Sequence, residues 1–473
     1  MSKHYHIAVL GAGPGGYVAA LKAAQLGASV ALVEKEHLGG TCLNYGCIPS
    51  KAILASAELM HHVRHAAAMG IDVPAGTVVN WAKIQSRKDK VLQTLRTGIK
   101  GLLGARKVSV YAGRGIVASA GKLVVTPTKG AAEELTADKL ILAVGSVPSR
   151  IPGWPTDPAI VCTSDEALHW KTLPQSLLIV GGGVIGCEFA CMMHALGVQV
   201  TMVEMLPQIL ANLDGQIAQI LVKSFTARGI KILTGVKIES LTLGGPGAVA
   251  KLGTGETLGA ERVLVATGRR PNTADIGLDA LGLATDRGFV RVNHRMETPV
   301  KDCYCIGDAN GRCLLAHAAS AHGVTAAENA LGVGHEFLAP IPNAVYTFPE
   351  VASVGLTTEE AQSAGLPVSV GSFSLAHLGK ALAVNANEGL VKVVRNRETD
   401  QLLGVHMIGH NVTECIAAAG ALLHQKASVI EVAETVFAHP TISESIKEAA
   451  EDALAMGLHA PPRKVLRVAA DVQ

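Results

Sequence analysis

The sequence predicts an α/β protein with two similar β-α-β domains and a third domain of mixed α+β character. Three observations predict it. A glycine-spaced turn joins strand-like and helix-like runs near the start, and the same pattern returns 170 residues later. Over the final 130 or so residues, short strand patterns alternate with helical ones. At 473 residues the chain exceeds one ordinary core, so roughly three domains are expected. Apolar residues make up 49% and charged residues 17%, with 51 glycines, which is the composition of a packed, loop-rich fold rather than a disordered one.

The first unit opens with the apolar run Tyr5 to Leu10. Gly11, Gly13 and Gly16 follow and open a helix to about Leu26, after which Ser29 to Val33 reads as a strand ending at Glu34. In the second copy Leu177 to Val180 leads into Gly181, Gly183 and Gly186. A helix runs to about Leu196, and Val198 to Val203 ends at Glu204. In each copy the acid lies 23 positions after the first glycine. Such spacing has a physical meaning. The first glycine makes the tight turn, the second lets the backbone approach a pyrophosphate, and the third lets helix and strand pack closely. The helix N-terminus offers free N–H groups to phosphate, and the acid accepts hydrogen bonds from a ribose diol while repelling a 2′-phosphate. One such motif alone is weak and fits a plain tight turn. Two in the same context point to two Rossmann-like dinucleotide-binding domains holding FAD and NAD rather than NADP, with hydride transfer between them.

Helical patterns over Ser50 to Ala66 and Trp81 to Leu103 come next, then strands near Val108 to Tyr111 and Lys139 to Val144. The Gly/Pro-rich stretch from Gly145 marks a crossover, as does the proline-rich Pro340 to Pro342. The expected domains are 1–149 for FAD, 150–272 for NAD, 273–342 returning to the first domain, and 343–473.

Net charge is only +2 and no basic block stands out, so neither nucleic acid nor a membrane surface is an expected partner. The most apolar stretch, Ser176 to Val203, contains four glycines and Glu188, and reads as strand, turn, helix and strand rather than a bilayer span. Neither a charged leader nor an apolar one precedes the first strand, and the nine cysteines are an odd, scattered set. The expectation is a cytoplasmic protein with mostly reduced thiols.

One closely spaced pair is the exception. Cys42 and Cys47 are separated by four residues in Gly39-Gly-Thr-Cys-Leu-Asn-Tyr-Gly-Cys-Ile-Pro-Ser-Lys, just before a predicted helix. So small a disulfide loop is a poor structural staple, whereas a helix N-terminus lowers thiol pKa and suits a reversible redox couple. Two buried small residues or half of a zinc site are the alternatives, but no second Cys/His pair with ligand spacing stands out. His61, His62 and His65 read as a solvated helix face, and no metal site is expected.

This segment resembles the active-site signature of the class I pyridine nucleotide–disulfide oxidoreductases, and its wording is closest to the members that oxidise dihydrolipoamide. The resemblance spans essentially the whole chain, both glycine motifs included. It implies that Cys42 exchanges with a substrate dithiol and that Cys47 lies against the flavin. Lys51 then sits beside flavin N5 and Glu188 pairs with it. Gly307 and Asp308 match a second flavin-binding segment, while Gly145 and Gly268 match the family's turn glycines.

A dithiol also needs a base, because the thiolate is the nucleophile. His439 and Glu444, five residues apart in Phe437-Ala-His-Pro-Thr-Ile-Ser-Glu, offer an imidazole oriented by a carboxylate, although a histidine before proline is also a common turn residue. The resemblance makes them a base pair acting on the disulfide of the other subunit. It therefore implies a homodimer, with 343–473 as the dimerisation domain and the lipoyl domain of a 2-oxoacid dehydrogenase or glycine-cleavage complex as partner.

Within the family, no arginine pair follows Glu204 to hold a 2′-phosphate, which disfavours the NADPH-dependent glutathione and trypanothione reductases. The tail from Lys464 carries no extra cysteine pair of the mercuric reductase kind, and soluble transhydrogenase lacks the full pair present here. A flavin-fold scaffold in a larger assembly is the contrasting expectation, and the intact cysteine pair speaks against it. Tyr45 is bulky where small aliphatic residues are common in relatives, and the sequence assigns it no role.

Overall fold

The computed structural model of the protein describes residues 3–245 and 247–459. The C-terminal stretch compared above and the end of the fourth expected domain lie outside the described residues. Two compact units are present. One comprises the described residues of Met1–Ser56, with Asn80–Leu173 and Leu264–Leu338, and the other the described residues of Ala57–Val79, Pro174–Val263 and Ala339–Gln473.

The first unit is built on a parallel sheet. Strand Lys3–Leu10 lies between Val30–Glu34 and Glu133–Leu142, with Ser109–Ala112 beyond Val30–Glu34. Besides Lys3–Leu10, the long strand Glu133–Leu142 serves two further neighbours. Its polar N-terminal half pairs antiparallel with Lys122–Thr126, and its apolar C-terminal half pairs parallel with Cys303–Cys305. Alternate residues of the central strands feed two separate cores, as a period of two requires. Ile7, Val9 and Leu32 face the alanines of helix Pro14–Gln25, whereas Ala8, Leu10 and Val33 face Val117, Leu123 and Val125.

Helix Pro14–Gln25 starts with proline at its first turn and with Gly13 as N-cap. Its neighbour Ala316–Ala330 approaches so closely that a Cβ on Gly323 would collide with the Gly15 carbonyl, and one on Gly15 with that of Ala319. Two small-residue helices thus clamp the first glycine turn.

The second unit repeats the motif. Parallel strands Ser176–Val180, Gln199–Glu204 and Lys231–Thr234 lie beside helices Val184–Ala195 and Gly215–Arg228, and an antiparallel sheet of Ile238–Gly244, Gly247–Leu252 and Thr257–Ala260 follows. Further along the chain, Asn343–Val345, Glu350–Gly355, Leu402–Gly409, Leu390–Asn396 and Val368–Ser374 form a second antiparallel sheet in that order. Helices Val412–His424, Val429–Glu434 and Glu444–Ala453 share an apolar core with it, built from residues such as Val393, Val405, Ile416, Val432 and Ile446. A Cβ on Gly371 would strike the Ala449 carbonyl, and the Ser372 N–H donates to Asp452 Oδ2 at 2.7 Å, so helix Glu444–Ala453 lies directly on its strand.

Two expectations need correction. Strand Glu133–Leu142 begins six residues before the predicted Lys139, because its polar half is satisfied by antiparallel pairing. His61 is not part of a solvated face. It is half-buried and stacks on Phe348, ring centroids 5.3 Å apart, and burial pushes its pKa down to about 4. Among the described residues there is no metal-ligating cluster, and no helix is long and apolar enough to cross a membrane.

Candidate active site

The two glycine turns have the same construction. Gly11 and Gly181 have φ of +101° and +107°, values that favour glycine, and their N–H groups donate to Val33 and Val203 carbonyls at 2.8 and 2.9 Å. A Cβ on Gly16 would run into the Gly11 carbonyl, and one on Gly186 into that of Gly181. At Gly13 and Gly183, the N-caps, a Cβ would meet nothing within 4 Å. The third glycine is therefore required by the turn itself, and the second leaves open space in front of a helix N-terminus. That is the cradle a pyrophosphate fills, so the residues present fit FAD at one turn and NAD at the other.

The acids are equally matched. Glu34 accepts from the Ala12 and Glu36 N–H groups at 2.7 and 2.8 Å. Glu204 accepts from those of Gly182 and Leu206 at 2.5 and 2.7 Å. Both carboxylates are fixed at the turn, each oxygen keeping a further lone pair for a ribose hydroxyl.

Cys42 lies in a short helix, Gly40–Tyr45, rather than in a loop, and Cys47 opens helix Cys47–Arg64 with Lys51 one turn on. The two cysteines are joined by a hydrogen bond. That bond, followed by burial, pushes the Cys42 thiol pKa up, and the positive charge of Lys51 opposes the rise. Cys42, Cys47 and Lys51 therefore form one electrostatically connected group.

Sequence reasoning missed Asn44 between them. Buried at 2% exposure, its amide donates to the Leu38 and Gly40 carbonyls at 3.1 and 2.8 Å. Its Oδ1 has no hydrogen-bond partner among the described residues, which suits a donor on a bound group. Gly40 presses so near that its Cβ would meet the Gly13 Cα at 2.6 Å, seating the redox segment on the first phosphate turn. Tyr45 has its ring between those of His37 and His169, at 6.4 and 5.8 Å.

Gly145 and Gly268, at φ +66° and +116°, flank a short antiparallel ladder of Ser146–Pro148 with Arg269–Pro271. The residue after each glycine joins a polar chain that the sequence did not reveal. Arg269 Nε donates to Ser146 Oγ at 2.7 Å, which donates to Asp308 Oδ2 at 2.5 Å. Asp308 is thus oriented by the ladder between the two turn glycines, while Gly307 precedes it at φ +64°.

In the second unit Glu188 is buried, and its Oε1 accepts from the Tyr346 N–H at 3.1 Å. His439 and Glu444 come together, with Nδ1 2.8 Å from Oε1. Because a carboxylate only accepts, the imidazole donates from Nδ1 and keeps Nε2 free to take a proton. The His439 side chain is 78% exposed, and Glu444 opens its helix, where the dipole favours a negative charge.

Two dinucleotide turns, a dithiol pair and an imidazole–carboxylate pair define a flavin-linked disulfide oxidoreductase. The chain belongs to the pyridine nucleotide-disulphide oxidoreductase family, which residues 5–323 match, while residues 341–450 match the family's dimerisation domain. The dihydrolipoyl dehydrogenase of Bacillus subtilis (strain 168) is 41% identical, over 97% of this chain and 100% of its own length. That of Chlamydia muridarum is 39% identical, over 98% of this chain and 100% of its own length. Among solved structures, LpdA from Mycobacterium tuberculosis superposes with a TM-score of 0.89 at 28% identity, over 95% of this chain and 99% of that one. The HOCl-induced flavoprotein disulfide reductase RclA from Escherichia coli does so with 0.84 at 25%, over 94% and 99%.

Proposed function

We infer that this chain is an NAD-dependent dihydrolipoyl dehydrogenase, oxidising a dihydrolipoyl dithiol through Cys42 and Cys47. The hydrogen-bonded thiol pair beside Lys51 carries this reading. In the oxidised enzyme a substrate thiolate attacks Cys42 Sγ, the Cys42–Cys47 bond breaks, and Cys47 leaves as a thiolate. The second substrate thiol then attacks the mixed disulfide, releasing the cyclic lipoyl disulfide and the Cys42 thiol. His439 Nε2 accepts the proton that the substrate gives up, and Glu444 holds the ring for it. FAD, held at Gly11, Gly13, Gly16 and Glu34, would supply the two-electron acceptor chemistry by which the Cys42 and Cys47 thiols return to the disulfide, with NAD as the final hydride acceptor.

Gly11, Gly13, Gly16, Glu34, Lys51, Gly145 and Asp308 are the FAD-side residues, and Gly181, Gly183, Gly186, Glu188, Glu204 and Gly268 complete the cofactor-binding set. The enzyme works as a homodimer in which His439 and Glu444 serve the partner subunit's disulfide, and the family's dimerisation domain supports this. The lipoyl group comes from the lipoyl domain of a 2-oxoacid dehydrogenase or glycine-cleavage complex. The odd, scattered set of nine cysteines fits a reducing, cytoplasmic setting. Replacing Cys47 with serine should abolish dihydrolipoamide oxidation while the purified protein keeps its flavin. Full turnover by that variant would refute the scheme.

A further inference from the structure

We propose that Thr441 is the positioning residue of the proton-accepting pair, holding both His439 and Glu444 in register. The proposal rests on the functional reading above. His439 lies in a segment, 435–443, that forms no helix or strand, and its side chain is largely exposed, so little packing fixes the ring. The apolar anchors of this segment, Phe437 and Ile442, join the core on either side of the histidine.

Thr441 bridges the span between them with two bonds. Its Oγ1 donates to the Ala438 carbonyl at 2.7 Å, closing a turn around His439 and Pro440 from the residue immediately before the histidine. Its N–H donates to Glu444 Oε2 at 2.7 Å, while Glu444 Oε1 accepts the hydrogen bond from His439 Nδ1. One residue thus fixes the backbone that carries the imidazole and the carboxylate that orients it. Valine has the same shape as threonine and keeps the N–H bond but loses the hydroxyl bond to Ala438. Serine keeps both. The hydroxyl contribution is therefore separable from packing and from the backbone bond.

The test is steady-state and rapid-reaction kinetics of the flavin-loaded enzyme with dihydrolipoamide and NAD, comparing wild type, Thr441→Val and Thr441→Ser. Losing one hydrogen bond that positions the base should lower kcat by about three- to tenfold in the valine variant. The KM for NAD and the rate of flavin reduction by NADH should not change, and serine should restore kcat. Thr441→Val turning over dihydrolipoamide at the wild-type rate would overturn the proposal. So would an equal fall in both half-reactions, or a serine variant as slow as valine. Failure of the functional reading looks different, because the wild type itself would not oxidise dihydrolipoamide.

Discussion

Replacing Glu204 with glutamine removes the charge at the end of the second-copy strand and leaves its shape. The carboxylate is held by the Gly182 and Leu206 N–H groups at 2.5 and 2.7 Å, so it reaches a bound ribose from a fixed position. A hydrogen bond to a charged acceptor contributes about 1.5–3 kcal/mol and one to a neutral acceptor about 0.5–1.5 kcal/mol. The change should therefore weaken NAD by about 1–1.5 kcal/mol, or about five- to tenfold in kcat/KM. For NADP the effect has the opposite sign. A carboxylate about 4 Å from a phosphate charge is repelled by about 1 kcal/mol in water and about 4 kcal/mol near a protein surface. Removing that repulsion should improve NADP by about fivefold or more. The ratio of kcat/KM for NAD over NADP, measured with dihydrolipoamide as donor, should thus fall by at least about 25-fold. Flavin content serves as the control, because Glu34 and not Glu204 lies at the turn proposed to hold FAD. An unchanged ratio would refute the assignment of Glu204 to the nucleotide ribose.

Two glycines of the first turn should separate folding from cofactor binding. Gly16→Ala drives a Cβ into the Gly11 carbonyl and should lower both thermal stability and flavin content, whereas Gly13→Ala meets open space and should leave the fold intact while reducing FAD affinity, read by flavin release on dilution. Stability should also depend on pH through His322, which is 1% exposed, has no partner for Nδ1 among the described residues, and is pushed by burial down to about 4. The unfolded chain takes up this proton near 6.5 and the folded chain only near 4, so the contribution is complete above pH 6.5 and about 3 kcal/mol is lost as pH falls to 4. The thermal midpoint followed over that range should fall less steeply in His322→Leu, and parallel curves for the two proteins would count against the assignment.

The two dinucleotide turns were legible in the sequence because backbone geometry dictates them. A tight turn, an open approach and a close helix contact each demand glycine, and the acid must end the next strand. The redox pair was legible for a similar reason, since both thiols lie within one short segment. What joins distant parts of the chain was not. Ser146, Arg269 and Asp308 form one polar chain only because Ser146–Pro148 and Arg269–Pro271 pair side by side. The burial of His61 depends on Phe348, so helical periodicity alone suggested solvent. The early start of Glu133–Leu142 escaped notice because its first residues are polar, and only an antiparallel neighbour makes them strand. Asn44 was hidden differently. A buried amide with one unpartnered oxygen shows itself only once every other partner has been placed.

The most direct test is an anaerobic spectral titration of the purified flavoprotein, first with dihydrolipoamide and then with NAD. A long-wavelength absorbance should grow with the dithiol, as the Cys47 thiolate forms beside the flavin, and fade on adding NAD but not NADP. A flavin spectrum indifferent to dihydrolipoamide, in protein that NADH does reduce, would contradict the proposed function.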